Sequence, residues 1–197
     1  MVIANTRVPA HPIHPLFLNR WSPRAMSGQE MPLSELMPLF EAARWSPSGG
    51  NGQPWRFLFA RKGTPQWQAY FDLLMPGNQL WAKNASALIV LLSLTVQEHN
   101  GKPSSSHTLD AGAAWMSLAL QGSLNGLAVH GMGGFDKEKA REVLGVPPEY
   151  KVEEMIAVGY PAPVETLPEN FQAVEKPNTR KNLEELVFEG KWPAPKP

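Results

Sequence analysis

The sequence predicts one layered domain in which helices and strands alternate, of the α/β or α+β class. Three observations lead there. With 197 residues and a mass of 21.8 kDa, the chain suits about one domain, exposing roughly 9,000 Å² of about 32,000 Å² when folded. Hydrophobic residues at 43% against 18% charged supply a core and exclude a disordered chain. The 20 prolines avoid the middle: eight lie in residues 1–54 and nine in 147–197. Proline removes an amide donor and fixes φ, so regular elements belong to the middle, with extended arms and short helices at the ends. Ordering such arms costs backbone entropy, so they are expected to wrap something, most simply a second copy of the chain.

The elements follow in order. Ser34 to Trp45 reads as a helix that Ser34 can cap, with Leu36, Leu39, Phe40 and Ala43 on one face. Ser46 to Pro54 is a turn-rich loop, and Trp55 to Arg61 alternates as a strand. Pro65 to Leu74 is a short helix, and Ala87 to Leu94, rich in Ile, Val and Leu, is a buried strand. Thr108 to Asn125 is a long helix buried on most sides, opened near Thr108 or Asp110 and stopped by Gly126. Ala128 to Met132 is a strand. Asp136 caps a helix running to Leu144, ended by Gly145-Val146-Pro147-Pro148, and Val152 to Gly159 is the last core strand.

Composition removes several function classes. Lys+Arg 18 balances Asp+Glu 18, which argues against a general nucleic-acid binder. The absence of Cys excludes disulfides, thiolate metal sites and a Cys nucleophile, and it fits a cytoplasmic location. The first 15 residues lack the apolar core of a signal segment. The longest strongly apolar run, Ala85 to Leu94, is about half of a membrane span. Ala111 to Phe135 carries no charge besides a protonated His130, but polar residues and glycines interrupt it, so no membrane contact is expected. The histidines at 11, 14, 99, 107 and 130 show no metal spacing, and neither G-x-S-x-G nor a Walker motif occurs.

Three segments can carry chemistry. In Arg20-Trp21-Ser22-Pro23-Arg24 two guanidiniums and a hydroxyl can converge on one phosphate, although a solvated basic turn has the same composition. Trp45 to Trp55 gathers Ser48, Asn51 and Gln53 between a helix end and a strand, either as an ordinary Pro/Gly/Asn turn or around a polar ring. In Gly131-Met132-Gly133-Gly134-Phe135-Asp136 the glycines let the backbone approach a flat ligand and accept φ angles that other residues resist. The spacing does not match the dinucleotide fingerprint G-x-G-x-x-G.

Taken in order, these segments resemble the FMN-dependent nitroreductases. The resemblance rests on Arg20-x-Ser22-x-Arg24, Ala42-Ala43-Arg44-Trp45-Ser46-Pro47-Ser48, and Asn51-x-Gln53-Pro54-Trp55. Gly77-Asn78-x-x-Trp81, Asp110-x-Gly112-x-Ala114, Gly126-Leu127 with Gly133-Gly134-Phe135-Asp136, Val158-Gly159-Tyr160-Pro161 and Thr179-Arg180-Lys181 continue it. It marks residues 17–190 as a single FMN-binding domain, between an N-terminal extension at 1–16 and a tail at 191–197.

The resemblance implies an α+β, three-layer, nitroreductase-like fold. Its central sheet is mixed and mainly antiparallel, flanked by helices, and its terminal arms wrap the partner of a homodimer. FMN would lie in each of two interface clefts, with NAD(P)H as co-substrate. Arg20, Ser22 and Arg24 would hold the phosphate, with Arg180 joining them, and Trp21 would also line the cofactor site. Ser48, Asn51 and Gln53 would approach the ring from the partner, Asn78 would bond its pyrimidine edge, and the Gly133-Gly134 backbone would face N5. Many relatives carry a carboxylate where this chain has Gly133. Hydride would pass through N5 to a small nitroaromatic or quinone-like acceptor in ping-pong fashion, with no essential catalytic side chain. A flavin reservoir or sensor, or a specialised dehalogenase or azoline oxidase type, is the alternative.

Overall fold

The computed structural model describes residues 5–193. Residues 1–4 and 194–197 of the two terminal segments lie outside the described residues. Seven α-helices and four strands follow one another in the described chain: α1 (Pro15–Asn19), α2 (Leu33–Arg44), β1 (Trp55–Arg61), α3 (Trp67–Phe71), α4 (Pro76–Ala82), β2 (Ala87–Leu94), α5 (His107–Leu124), β3 (Ala128–Met132), α6 (Lys137–Val143), β4 (Tyr150–Gly159) and α7 (Glu169–Gln172).

The strands form one sheet of order β1-β2-β4-β3, with all three pairings antiparallel. A parallel pair, which a mixed sheet would include, is not formed among the described residues. β2 is buried along its whole length because both faces are covered. Leu88, Val90 and Leu92 meet Leu73, Trp81 and Ala140 from the side of α3, α4 and α6. Ala87, Ile89 and Leu91 meet Leu36, Leu39, Ala114 and Leu118 of α2 and α5 on the other side. Three layers result, with a core on each sheet face.

Local chemistry sets the boundaries. Pro32, not Ser34, stands at the N-cap of α2, and no side chain caps it; Ser34 lies inside the first turn. α5 starts at His107, one residue before the expected start, with Ser106 at its N-cap. At its other end Gly126 adopts φ +72°. Leu127 N then donates to Gly122 O at 2.9 Å and Gly126 N to Ser123 O at 3.1 Å, a paired closure that satisfies the last carbonyls. Asp136 caps α6 as expected, accepting Lys139 N at 2.9 Å. The expected Pro65–Leu74 helix shrinks to Trp67–Phe71, and a separate α4 begins at Pro76. Proline suits that first position, since its missing N–H would have no helical acceptor.

Candidate functional site

The run after α1 is extended and pinned at its far end to the chain leaving β4: Ser27 N donates to Tyr160 O at 2.9 Å and Ala162 N to Ala25 O at 3.0 Å. Arg20, Trp21, Ser22 and Arg24 thereby line a cleft of about 530 Å³ together with Arg7, His130, Lys176 and Arg180. Five of these side chains are cationic. Burial, and then the neighbouring Arg180, lowers the Arg20 pKa. Burial, then Arg180 and Arg20, does the same for Arg7. Guanidiniums pressed together destabilise one another unless an anion lies between them.

One carboxylate stands behind this cluster. The Glu175 side chain is fully buried. Its Oε1 accepts Arg24 N at 2.5 Å and Ala25 N at 2.9 Å, and Oε2 lies 3.6 Å from Arg24 Nη1. Arg20 Nη1 reaches Ser22 Oγ at 3.4 Å. Arg20 Nε is buried with no hydrogen-bond acceptor among the described residues. A buried donor left unpaired is costly, and a phosphate oxygen is the kind of acceptor that would satisfy it. His130 on β3 completes the wall, its ring 4.7 Å from that of Trp81 and its Nδ1 3.2 Å from Pro23 O. Burial, and then Arg24, pushes the His130 pKa down to about 4, so the ring is neutral at pH 7.

A second group forms at the end of β3. The Gly134 carbonyl accepts Met75 N at 3.0 Å and Asn78 Nδ2 at 2.9 Å. A Cβ on Gly134 would stand 2.8 Å from Asn78 Nδ2, so a larger residue there would push the Asn78 amide out of its present place. Positive φ, the other reason for expecting glycine, applies to neither Gly133 nor Gly134. Space is open around Gly133.

The third group is the loop between α2 and β1. Gly50, Asn51 and Gln53 take φ of 58°, 55° and 44°. Two of them carry side chains, which marks stored strain of the kind found at ligand-binding loops. Gln53 N donates to Ser48 Oγ at 3.0 Å, and Gln53 Nε2 to Asn51 O at 3.1 Å. Asp110 on α5 holds the loop from below: both its oxygens lie 3.3 Å from Gly49 N, and Oδ2 accepts Ser106 Oγ at 2.9 Å. Asn51 and Gln53 open onto a cleft of about 620 Å³ that shares no lining residue with the arginine cleft. Arg20, Trp21, Ser22, Arg24 and Arg180 thus converge, Asn78 meets Gly134, and Ser48, Asn51 and Gln53 stand apart within one chain.

Arg7 and Glu175 escaped the sequence reading. Neither belongs to a motif, each lies in a proline-bearing segment, and only its contacts in the fold reveal it.

The Nitroreductase family model matches residues 18–72 and 62–160. The chain belongs to the nitroreductase family. Among solved structures, this nitroreductase-family chain is similar to an oxidoreductase containing FMN, with 43% identity, a TM-score of 0.93, and coverage of 99% of this chain and 100% of that one. A provisionally named nitroreductase from Desulfovibrio desulfuricans, solved in complex with FMN, shares the fold at TM-score 0.71 and 22% identity, covering 92% and 100% of the two chains. A protein from Archaeoglobus fulgidus, provisionally named an NADH dehydrogenase/NAD(P)H nitroreductase, is 27% identical over 150 residues, 74% of this chain and 83% of the relative.

Proposed function

We propose that this nitroreductase-family protein is an FMN-dependent oxidoreductase that moves a hydride from NAD(P)H to a small aromatic acceptor. The observation that carries the reading is the arginine cleft: clustered cations around a buried, unpaired Arg20 Nε form a cradle for a phosphate dianion. The family and the FMN-containing relative at 43% identity give that dianion its identity.

Arg20, Ser22, Arg24 and Arg180 would hold the phosphate, with Trp21 lining the same cleft. Asn78 would reach the ring edge, and the Gly133-Gly134 backbone would lie along it. When bound, FMN supplies hydride acceptance and donation, so the protein needs no nucleophile of its own. The chain's part is to anchor, orient and exclude water. With one cleft serving both reactants, the nicotinamide, oxidised once it has given up its hydride, would leave before the acceptor enters, which gives ping-pong kinetics.

A second copy is proposed as the partner. Asn51 and Gln53 open onto a separate cleft of one chain, with Ser48 on the same loop, where the three would serve the partner's ring. The accessible surface of 11757 Å² exceeds the roughly 9,000 Å² scaled for this mass by about 30%. On α5 the uncovered side presents Leu109, Met116 and Leu124, and the C-terminal segment exposes Leu186, Val187 and Trp192. Such apolar surface fits burial against another copy.

The test is anaerobic mixing of the FMN-loaded protein with NADPH or NADH. Bleaching of the flavin band, followed by recolouring with a quinone or nitroaromatic, is the expected result. A flavin that neither nucleotide bleaches would refute turnover and leave a flavin reservoir.

A further inference from the structure

We propose that Arg7, from the segment ahead of the family match, is a positioning residue that locks the phosphate cradle into shape. The inference rests on the reading of the arginine cleft as the FMN phosphate site. From Asn5 to Pro15 every residue is exposed except Arg7, and this proline-bearing stretch is held by the Arg7 guanidinium together with Asn5, whose Nδ2 donates to Leu18 O at 3.0 Å and Asn19 Oδ1 at 2.9 Å. The Arg7 Nη1 donates to the carbonyls of Leu18 and Arg20, each at 2.9 Å. Its Nε donates to Asn178 O at 2.8 Å and its Nη2 to Asn178 Oδ1 at 3.2 Å. Asn178 Oδ1 also accepts Arg180 Nη1 at 2.7 Å.

These bonds join the two sides of the cradle. Arg20 departs from a backbone whose carbonyl Arg7 holds, and Arg180 is held through Asn178, which Arg7 also holds. Four of the five guanidinium N–H groups are already spent on protein acceptors, so Arg7 acts as a clamp more than as a ligand. The clamp opposes the mutual repulsion of Arg20 and Arg180, which would otherwise splay them apart before any anion arrives. Preorganisation of this kind lowers the ordering cost of binding. Lysine cannot replace it, because an ammonium lacks the planar fork that reaches three carbonyl groups at once. The family match runs from residue 18 to residue 160, so Arg7 and Asn178 both lie outside it.

The experiment measures dissociation constants of FMN and riboflavin by fluorescence titration of full-length wild type, Arg7→Ala, Arg7→Lys and Arg24→Ala, with a thermal melt of each. Arg7→Ala is expected to raise the FMN constant about tenfold while riboflavin changes less than about twofold, since only the phosphate end loses its preset shape. Arg7→Lys should behave like Arg7→Ala. Unchanged FMN binding in Arg7→Ala, or equal losses for FMN and riboflavin, would overturn the proposal. Full rescue by lysine would also overturn it, by showing that charge alone suffices. Arg24→Ala separates the underlying reading: if it too spares the preference for FMN over riboflavin, the cleft is not the phosphate site.

Discussion

Glu175 Oε1 accepts the backbone N–H groups of both Arg24 and Ala25, at 2.5 and 2.9 Å, from a side chain with no exposure to water. A carboxylate from the C-terminal segment thus fixes the backbone that carries an arginine of the anion cleft. Glu175→Ala would leave the buried Ala25 N–H unpaired, which costs about 1–3 kcal/mol, and would free the half-buried Arg24 N–H as well. The expected result is a lower Tm with weakened FMN binding, whereas Glu175→Gln, which keeps one acceptor oxygen, loses less. Equal melts for wild type and Glu175→Ala would contradict the account.

Arg24 faces the cleft with its guanidinium 5.8 Å from the Phe171 ring centre. A charge-assisted bond to phosphate is worth about 1.5–3 kcal/mol, so Arg24→Ala should weaken FMN roughly ten- to a hundredfold. Riboflavin, which has no phosphate, should bind nearly as before. Equal losses for the two ligands would show that Arg24 does not touch the phosphate.

Gly134 supplies a prediction about the ring end. Valine there would drive a branched side chain into Asn78, which a Cβ alone already meets at 2.8 Å. Gly134→Val should slow flavin reduction per bound flavin in stopped-flow far more than it lowers Tm. A variant with normal reduction rates would remove this loop from the reacting face.

His130 predicts a pH window. Its folded pKa of about 4 lies below the ordinary 6.5. The unfolded chain therefore binds the extra proton first as pH falls. The stability that His130 contributes is complete above pH 6.5, declines down to about pH 4, and falls no further below. The shift amounts to about 3 kcal/mol over that window. Urea melts of wild type and His130→Phe between pH 4 and 7 check it: the slope attributable to residue 130 should vanish in the variant.

Deleting the residues after Pro177 removes Asn178 and Arg180 together with exposed Leu186, Val187 and Trp192. The shortened chain should lose FMN affinity and dissociate more readily in sedimentation. A truncated protein that remains dimeric and binds FMN at full strength would contradict the partner assignment.

Much of the frame was legible in the sequence. The strands at Trp55–Arg61, Ala87–Leu94 and Ala128–Met132 have the expected bounds: alternation marks the first, a long apolar run the second, and turn or glycine residues flank all three. α4 was missed because Pro76-Gly77 reads as a turn, whereas here proline opens a helix. Ser34 looked like a cap because its hydroxyl suits one, yet the chain turns two residues earlier. At the site, Arg20, Ser22 and Arg24 were legible because close spacing and residue type already specify an anion. The Ser48–Gln53 loop was legible as Gly/Asn turn chemistry, but the positive φ of Gln53 was not, since glutamine shows no preference for it. Arg7 and Glu175 could not be read, because Asn178 lies 171 positions from Arg7 and the partners of Glu175 lie about 150 positions away.

That separation has a consequence for how the protein is made. Arg7 and Asn178 close a loop of 171 residues, so the anion cradle cannot assemble until everything between them has been synthesised. At ~5–20 residues per second, this delays the closure by roughly 10–30 s after Arg7 is made. The sheet and its two helical layers can pack before then, since β1 to β4 span residues 55–159. Cofactor capture is therefore expected to come late in biosynthesis, on a chain whose core already exists. Pulse-labelled chains halted before residue 178 should resist protease across the sheet and retain no flavin.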